Sequence, residues 1–132
     1  MLIAAAHLVT ADGANKPVPF QGFVEITDGA ISGVGPGLPA RPADVTLETG
    51  YLLPGFVDLQ VNGYFGADFQ TADAGSWRAV AGRLPETGTT SFAPTVITAP
   101  IDSLVATLRG ARPIVAGLPP GGARVLGVHV EG

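Results

Sequence analysis

Two short runs of this chain place side chains where they could do chemistry together. The first closes the sequence: Glu131 follows the apolar, β-branched stretch Val125 to Val130, with His129 two residues before it. Side chains alternate along a strand with period two, so Gly127, His129 and Glu131 are expected on one face, and Val128 and Val130 on the other. Ligands of parallel α/β folds sit at the carboxyl ends of strands. A carboxylate there, with an imidazole beneath it, suits metal binding or proton transfer. The same two residues also read as a solvated strand terminus above a core histidine. The second run is Phe56 to Val61, ended by Asn62-Gly63. Its parity puts Phe56, Asp58, Gln60 and Asn62 on one face. Gln60 and Asn62 are then neutral amides at a strand end, either partners of Glu131 or ordinary hydrogen-bonders. Asp58, deeper on that face, is expected as a buried acceptor that fixes backbone or a neighbouring strand.

The elements that would hold these residues follow from periodicity. The turn run Pro119-Pro-Gly-Gly122 precedes the closing strand. Between the two runs, Asp73 is placed to cap a helix whose Trp77, Val80, Ala81 and Leu84 share one face. Pro85 to Gly88 ends that helix, and Thr89 to Val96 reads as a strand despite Pro94. Pro100 suits the first position of a second helix. Ile101, Leu104, Val105 and Leu108 repeat the helical spacing, with a break or kink expected at Gly110 and Pro113 and a remnant to about Gly117. Tyr64 to Ala72 reads as a loop, with Tyr64 and Phe65 either edging a pocket or packing. The order from residue 53 is thus β-α-β-α-β, the pattern of parallel strands joined by right-handed crossovers.

Residues 1–52 read as all β. Leu2 to Val9 is a strand closed by Ala11-Asp-Gly13. Phe23 to Thr27 and Ala30 to Val34 flank Asp28-Gly29, which favours a two-residue hairpin. Val45 to Thr49 is a fourth short strand. His7 lies in this half and is assigned a structural role. Four short strands bury little alone, so this half is expected to need a partner sheet.

Composition sets bounds on the whole. Of 132 residues, 46% are hydrophobic and 14% charged, which argues against disorder. The net charge of −4 offers no basic footprint for nucleic acid or an anionic membrane. The absence of cysteine excludes disulfides, thiolate metal sites and a Cys nucleophile, and fits a cytoplasmic protein. No run approaches the roughly 18 apolar residues of a membrane span.

Pro54-Gly-Phe-Val-Asp-Leu-Gln60-Val-Asn62-Gly63 resembles the first barrel strand of the amidohydrolase superfamily, which usually reads Pro-Gly-Phe-x-Asp-x-His-x-His. Gln60 and Asn62 stand where relatives carry two His. With Gly88-Thr-Thr-Ser-Phe-Ala-Pro-Thr-Val-Ile-Thr98 and Gly127-Val-His-Val-Glu-Gly132, the chain resembles the N-acetylglucosamine-6-phosphate deacetylase family from about residue 20 onward. The resemblance implies a (β/α)8 TIM barrel, of which about three strands fall in residues 53–132, preceded by the N-terminal part of a small β-sandwich in residues 1–52. It implies removal of acetate from a phosphorylated amino sugar, with a divalent metal activating water and a late barrel Asp handling the proton. By position Glu131 matches the metal-ligating carboxylate, Gln60 and Asn62 lie near the metal or its water, and His129 braces the site from below. Neutral amides are poor zinc ligands, so one zinc rather than two is expected. The general base, two His ligands and the phosphate-binding residues are expected beyond Gly132, in a cytoplasmic homodimer. The chain would then be an N-terminal fragment, inactive alone. Other readings are a dihydroorotase-like or aminoacylase-like amidohydrolase, and a β/α binding module without chemistry.

Overall fold

The computed structural model describes all residues except 12–17, 71–72, 119–120 and 132. The turns expected at Asp12-Gly13 and Pro119-Pro120 therefore lie outside the described residues. The chain divides into two compact units, Met1–Pro54 and Gly55–Gly132.

The first unit is a four-stranded sheet of β1 (Leu2–Leu8), β2 (Phe20–Thr27), β3 (Ala30–Pro36) and β4 (Val45–Leu47), in the order β3-β2-β1-β4. The β2–β3 hairpin turns at Asp28 and Gly29, both with positive φ (52° and 76°), the geometry that the Asp-Gly dipeptide favours. β4 is shorter than its sequence suggests and runs parallel to β1. Asp44 docks it: its Oδ2 accepts from the Leu2 N–H and its N–H donates to the Leu2 carbonyl at 2.9 Å. The His7 ring bonds the Gly50 carbonyl at 3.1 Å and lies beside Tyr51. Leu2, Ala4, Ala5, Leu8 and Val24 are buried, whereas Ile31 and Val34 are exposed.

The second unit is α/β. β5 (Phe56–Val61) is followed by a small hairpin of β6 (Gly63–Tyr64) and β7 (Ala67–Asp68), then α1 (Ala74–Arg83), a 3-10 turn (Leu84–Thr87), β8 (Thr89–Val96), α2 (Ile101–Ala116), β9 (Arg124–Val125) and β10 (His129–Val130). β8 is central and parallel to β5 on one side and to β9 and β10 on the other.

Asp73 caps α1 by accepting from the Ser76 N–H at 2.9 Å. Trp77, Val80 and Ala81 bury the face that the periodicity predicts. They pack with Val61, Phe69, Leu84, Phe92, Ala111 and Ala123. Phe69 meets the Trp77 ring edge-on at 5.0 Å. The Trp77 indole N–H is buried without a partner among the described residues.

Four local expectations need correction. The segment after Asn62 is not a plain loop: Phe65 and Gly66, both at positive φ, turn the β6–β7 hairpin. Tyr64 packs against the core, and Phe65 lies under the Arg83 guanidinium. α2 continues through Gly110 and Pro113, because Ala111, Ile114 and Val115 anchor its later turns to the core. Pro100 is the N-cap of α2, not its first helical residue. The closing strand is broken into two short pieces at Leu126 to Val128.

Candidate functional site

The candidate site forms where β5, β8 and β10 end together. β8 and β10 are in register at His129↔Thr95 and Val130↔Val96. Just past β10, the Glu131 N–H donates to the Val96 carbonyl at 2.9 Å, and the Thr98 hydroxyl donates to the Glu131 carbonyl at 3.1 Å. Glu131 is thus held to the end of β8 through its own peptide groups, although it lies outside the ladder. Its side chain is exposed.

β5 brings the second half. Its register with β8 slips between Asp58↔Phe92 and Val61↔Pro94, so β5 carries one extra residue there. Pro94, which has no N–H to give a ladder, occupies that slip. Asp58 Oδ1 accepts from the Gln60 N–H at 3.1 Å and closes the irregular turn of chain. Asp58 therefore does fix backbone, but as an exposed residue rather than a buried one, because the bulge turns its carboxylate along its own strand. The Leu59 carbonyl accepts from His129 Nδ1 at 3.0 Å. A carbonyl only accepts, which places a proton on Nδ1. His129 is half-buried, not a sealed core residue, and ties β10 to β5 across β8.

Gln60 and Glu131 meet directly: Gln60 Nε2 donates to Glu131 Oε2 at 3.1 Å. Asn62 is exposed just past β5 and joins none of these hydrogen bonds. The structure therefore brings Gln60, His129 and Glu131 together and leaves Asn62 apart. Thr98 escaped the sequence reading. No local signal in the residues marked it, since its partner lies 33 positions away in the chain.

Among the described residues no three His, Asp or Glu side chains gather closely enough to hold a metal ion. Glu131 nevertheless suits the part of one ligand. It is anionic, exposed at a strand end, and braced at one oxygen by an amide N–H, as ligating carboxylates commonly are. No described helix is long and apolar enough to cross a membrane.

No protein-family model matches the chain. It is 37% identical over 137 residues to the N-acetylglucosamine-6-phosphate deacetylase of Bacillus subtilis (strain 168), an alignment covering 100% of this chain and 34% of that protein. The crystal structure of N-acetyl-D-glucosamine-6-phosphate deacetylase from Mycobacterium smegmatis superposes with a TM-score of 0.80 at 30% identity, over 100% of this chain and 35% of that one. A mutant of the M. smegmatis enzyme in complex with N-acetyl-D-glucosamine-6-phosphate matches with a TM-score of 0.76 at 29% identity, over 100% of this chain and 32% of that one. The chain thus spans about a third of the length of the relatives it matches. Over its whole length, it is similar to the N-terminal part of N-acetylglucosamine-6-phosphate deacetylases.

Proposed function

We propose that this chain serves as the N-terminal third of a metal-dependent amide hydrolase that converts N-acetylglucosamine 6-phosphate and water into glucosamine 6-phosphate and acetate. The observation that carries the reading is the full-length match to deacetylases in both sequence and structure. The substrate follows from the sugar phosphate bound to the M. smegmatis mutant. In this reading residues 1–52 contribute strands to a β-sandwich. Residues 53–132 are the first three strands of a (β/α)8 barrel, with the two helices that join them. The parallel strands β5, β8 and β10 support it by ending on one side with Gln60, Thr98 and Glu131.

The reaction breaks the C–N bond of the acetamide. The oxygen of water goes to the acetyl carbon, and a proton goes to the departing amine. A bound divalent cation, zinc in this reading, supplies polarisation of the carbonyl and acidification of water. This chain's share is narrower. Glu131 offers one anionic ligand of the roughly three that such a site needs. Gln60 holds one carboxylate oxygen by its amide N–H, and His129 fixes β10 against β5. Asn62, exposed just past β5, would in this reading lie near the metal or its water. The other ligands and the proton-transferring group would come from sequence beyond residue 132.

Assaying the full-length protein for acetate release from N-acetylglucosamine 6-phosphate, before and after chelation, tests the reading. Chelator-sensitive turnover that is lost on Glu131→Gln is expected. Absence of turnover in the metal-loaded protein, or turnover that Glu131→Gln leaves intact, would sink it.

A further inference from the structure

We infer that Thr98 is a positioning residue for Glu131, and that the Thr98 hydroxyl, more than the strand ladder, sets where the carboxylate stands. The inference rests on the deacetylase reading of Glu131 above. β10 is a two-residue strand, and Leu126 to Val128 before it are in no strand. A segment so short has few ladder bonds to resist sliding or twisting. Glu131 itself lies beyond β10, yet both of its peptide groups are engaged. Its N–H is bonded to Val96 on one side, and its carbonyl accepts from Thr98 Oγ1 on the other. The first bond fixes how far the chain advances along β8. The second holds the carbonyl on the other side of Cα, and the two anchors together set the direction in which the side chain leaves. Only then does Gln60 Nε2 meet Glu131 Oε2 at 3.1 Å. Thr98 is exposed and belongs to no strand or helix, and this hydrogen bond gives it a task that packing does not.

Groups that orient a metal ligand from behind typically change metal affinity about 10- to 100-fold when removed. The test uses the full-length protein and zinc titrated against a competing chelator. The variants are Thr98→Val, which keeps the shape and removes the hydroxyl, and Thr98→Ser, which keeps the hydroxyl. The expected result is zinc binding about tenfold weaker in Thr98→Val, near wild-type binding in Thr98→Ser, and melting temperatures of the metal-free proteins that match. The kinetic expectation is a fall in kcat with KM for the sugar phosphate little changed. Thr98→Val binding zinc as tightly as wild type would overturn the assignment. So would equal losses in both variants with lowered melting temperatures, which would mark a residue of the fold alone. Wild-type protein that neither binds zinc nor releases acetate would overturn the deacetylase reading itself, a result visible before any variant is made.

Discussion

Gln60 donates from Nε2 to Oε2 of Glu131 at 3.1 Å, joining residues 71 positions apart in the chain. Each stands at the end of its own parallel strand, and β8 lies between those strands. A neutral amide in that place can steady a carboxylate without competing for its cation.

Charge separates the two residues by consequence. In the full-length protein, Glu131→Gln should abolish stoichiometric metal and most activity, because a dication would face neutral groups. Gln60→Ala should retain one metal and lose about 1–3 kcal/mol of stabilisation, roughly ten- to a hundredfold in rate. Metal analysis of both variants at equal protein concentration decides between them. Full metal in Glu131→Gln with none in Gln60→Ala would reverse the assignment.

Asp58 supports Gln60 through the backbone. Asp58→Ala removes the acceptor for the Gln60 N–H and should release the irregular turn of β5. Crystallography of the variant is expected to show Gln60 Nε2 withdrawn from Glu131, with β5 still paired to β8. An unchanged Gln60–Glu131 distance would show that the register slip holds without the carboxylate.

Asp73 makes α1 sensitive to acid. Its carboxyl titrates below the ordinary value, chiefly through backbone hydrogen bonds from Ser76 and Gly75. A pKa lowered by folding means a stabilising contribution that is complete above the unfolded-state value. It is lost as pH falls through the lower folded-state value. Asp73→Ala should therefore melt below wild type at neutral pH, and the gap should close as the acid end of the carboxylate range is passed. A gap independent of pH would assign the effect to helix propensity rather than to the charged cap.

The loop before β9 sits against α1. The Ala123 N–H donates at 2.7 Å to the Ala81 carbonyl, one of the carbonyls in the last turn of α1. A Cβ on Gly122 would stand 2.7 Å from that same oxygen. Gly122→Ala should cost about 1–3 kcal/mol, as overpacked sites do, read as a shift of the denaturation midpoint at constant slope. No shift would mean that the loop relaxes freely.

Much of this arrangement was legible in the residues. Asp28-Gly29 announces its hairpin, Asp73 its cap, and Trp77, Val80 and Ala81 their buried stripe, because each is a local rule of backbone or period. The β-α-β-α-β order likewise follows from alternating periods. What could not be read depends on contacts distant in sequence. Period two put Asp58 inside, but a register slip set by β8 turned it along its own strand. Gly110 and Pro113 argue locally for a break in α2, and packing of Ala111 and Ile114 overrides them. Gln60 and Glu131 could be named from their strand-end positions and the family resemblance. Thr98 could not, since its role lies in a hydrogen bond to the carbonyl of Glu131, 33 residues away.

The outer side chains of β5 bear on how such a polypeptide is made. Phe56, Val57 and Leu59 are all more than half exposed, at 55%, 58% and 63%, and β5 is an edge strand of its sheet. An uncovered apolar edge invites pairing with other chains. Synthesis proceeds from the N-terminus, so a ribosome building the longer polypeptide proposed above would present this strip before later segments emerge. At that stage the nascent chain is a natural client for a holdase, and its yield should depend on chaperone supply more than the stability of the finished enzyme would suggest.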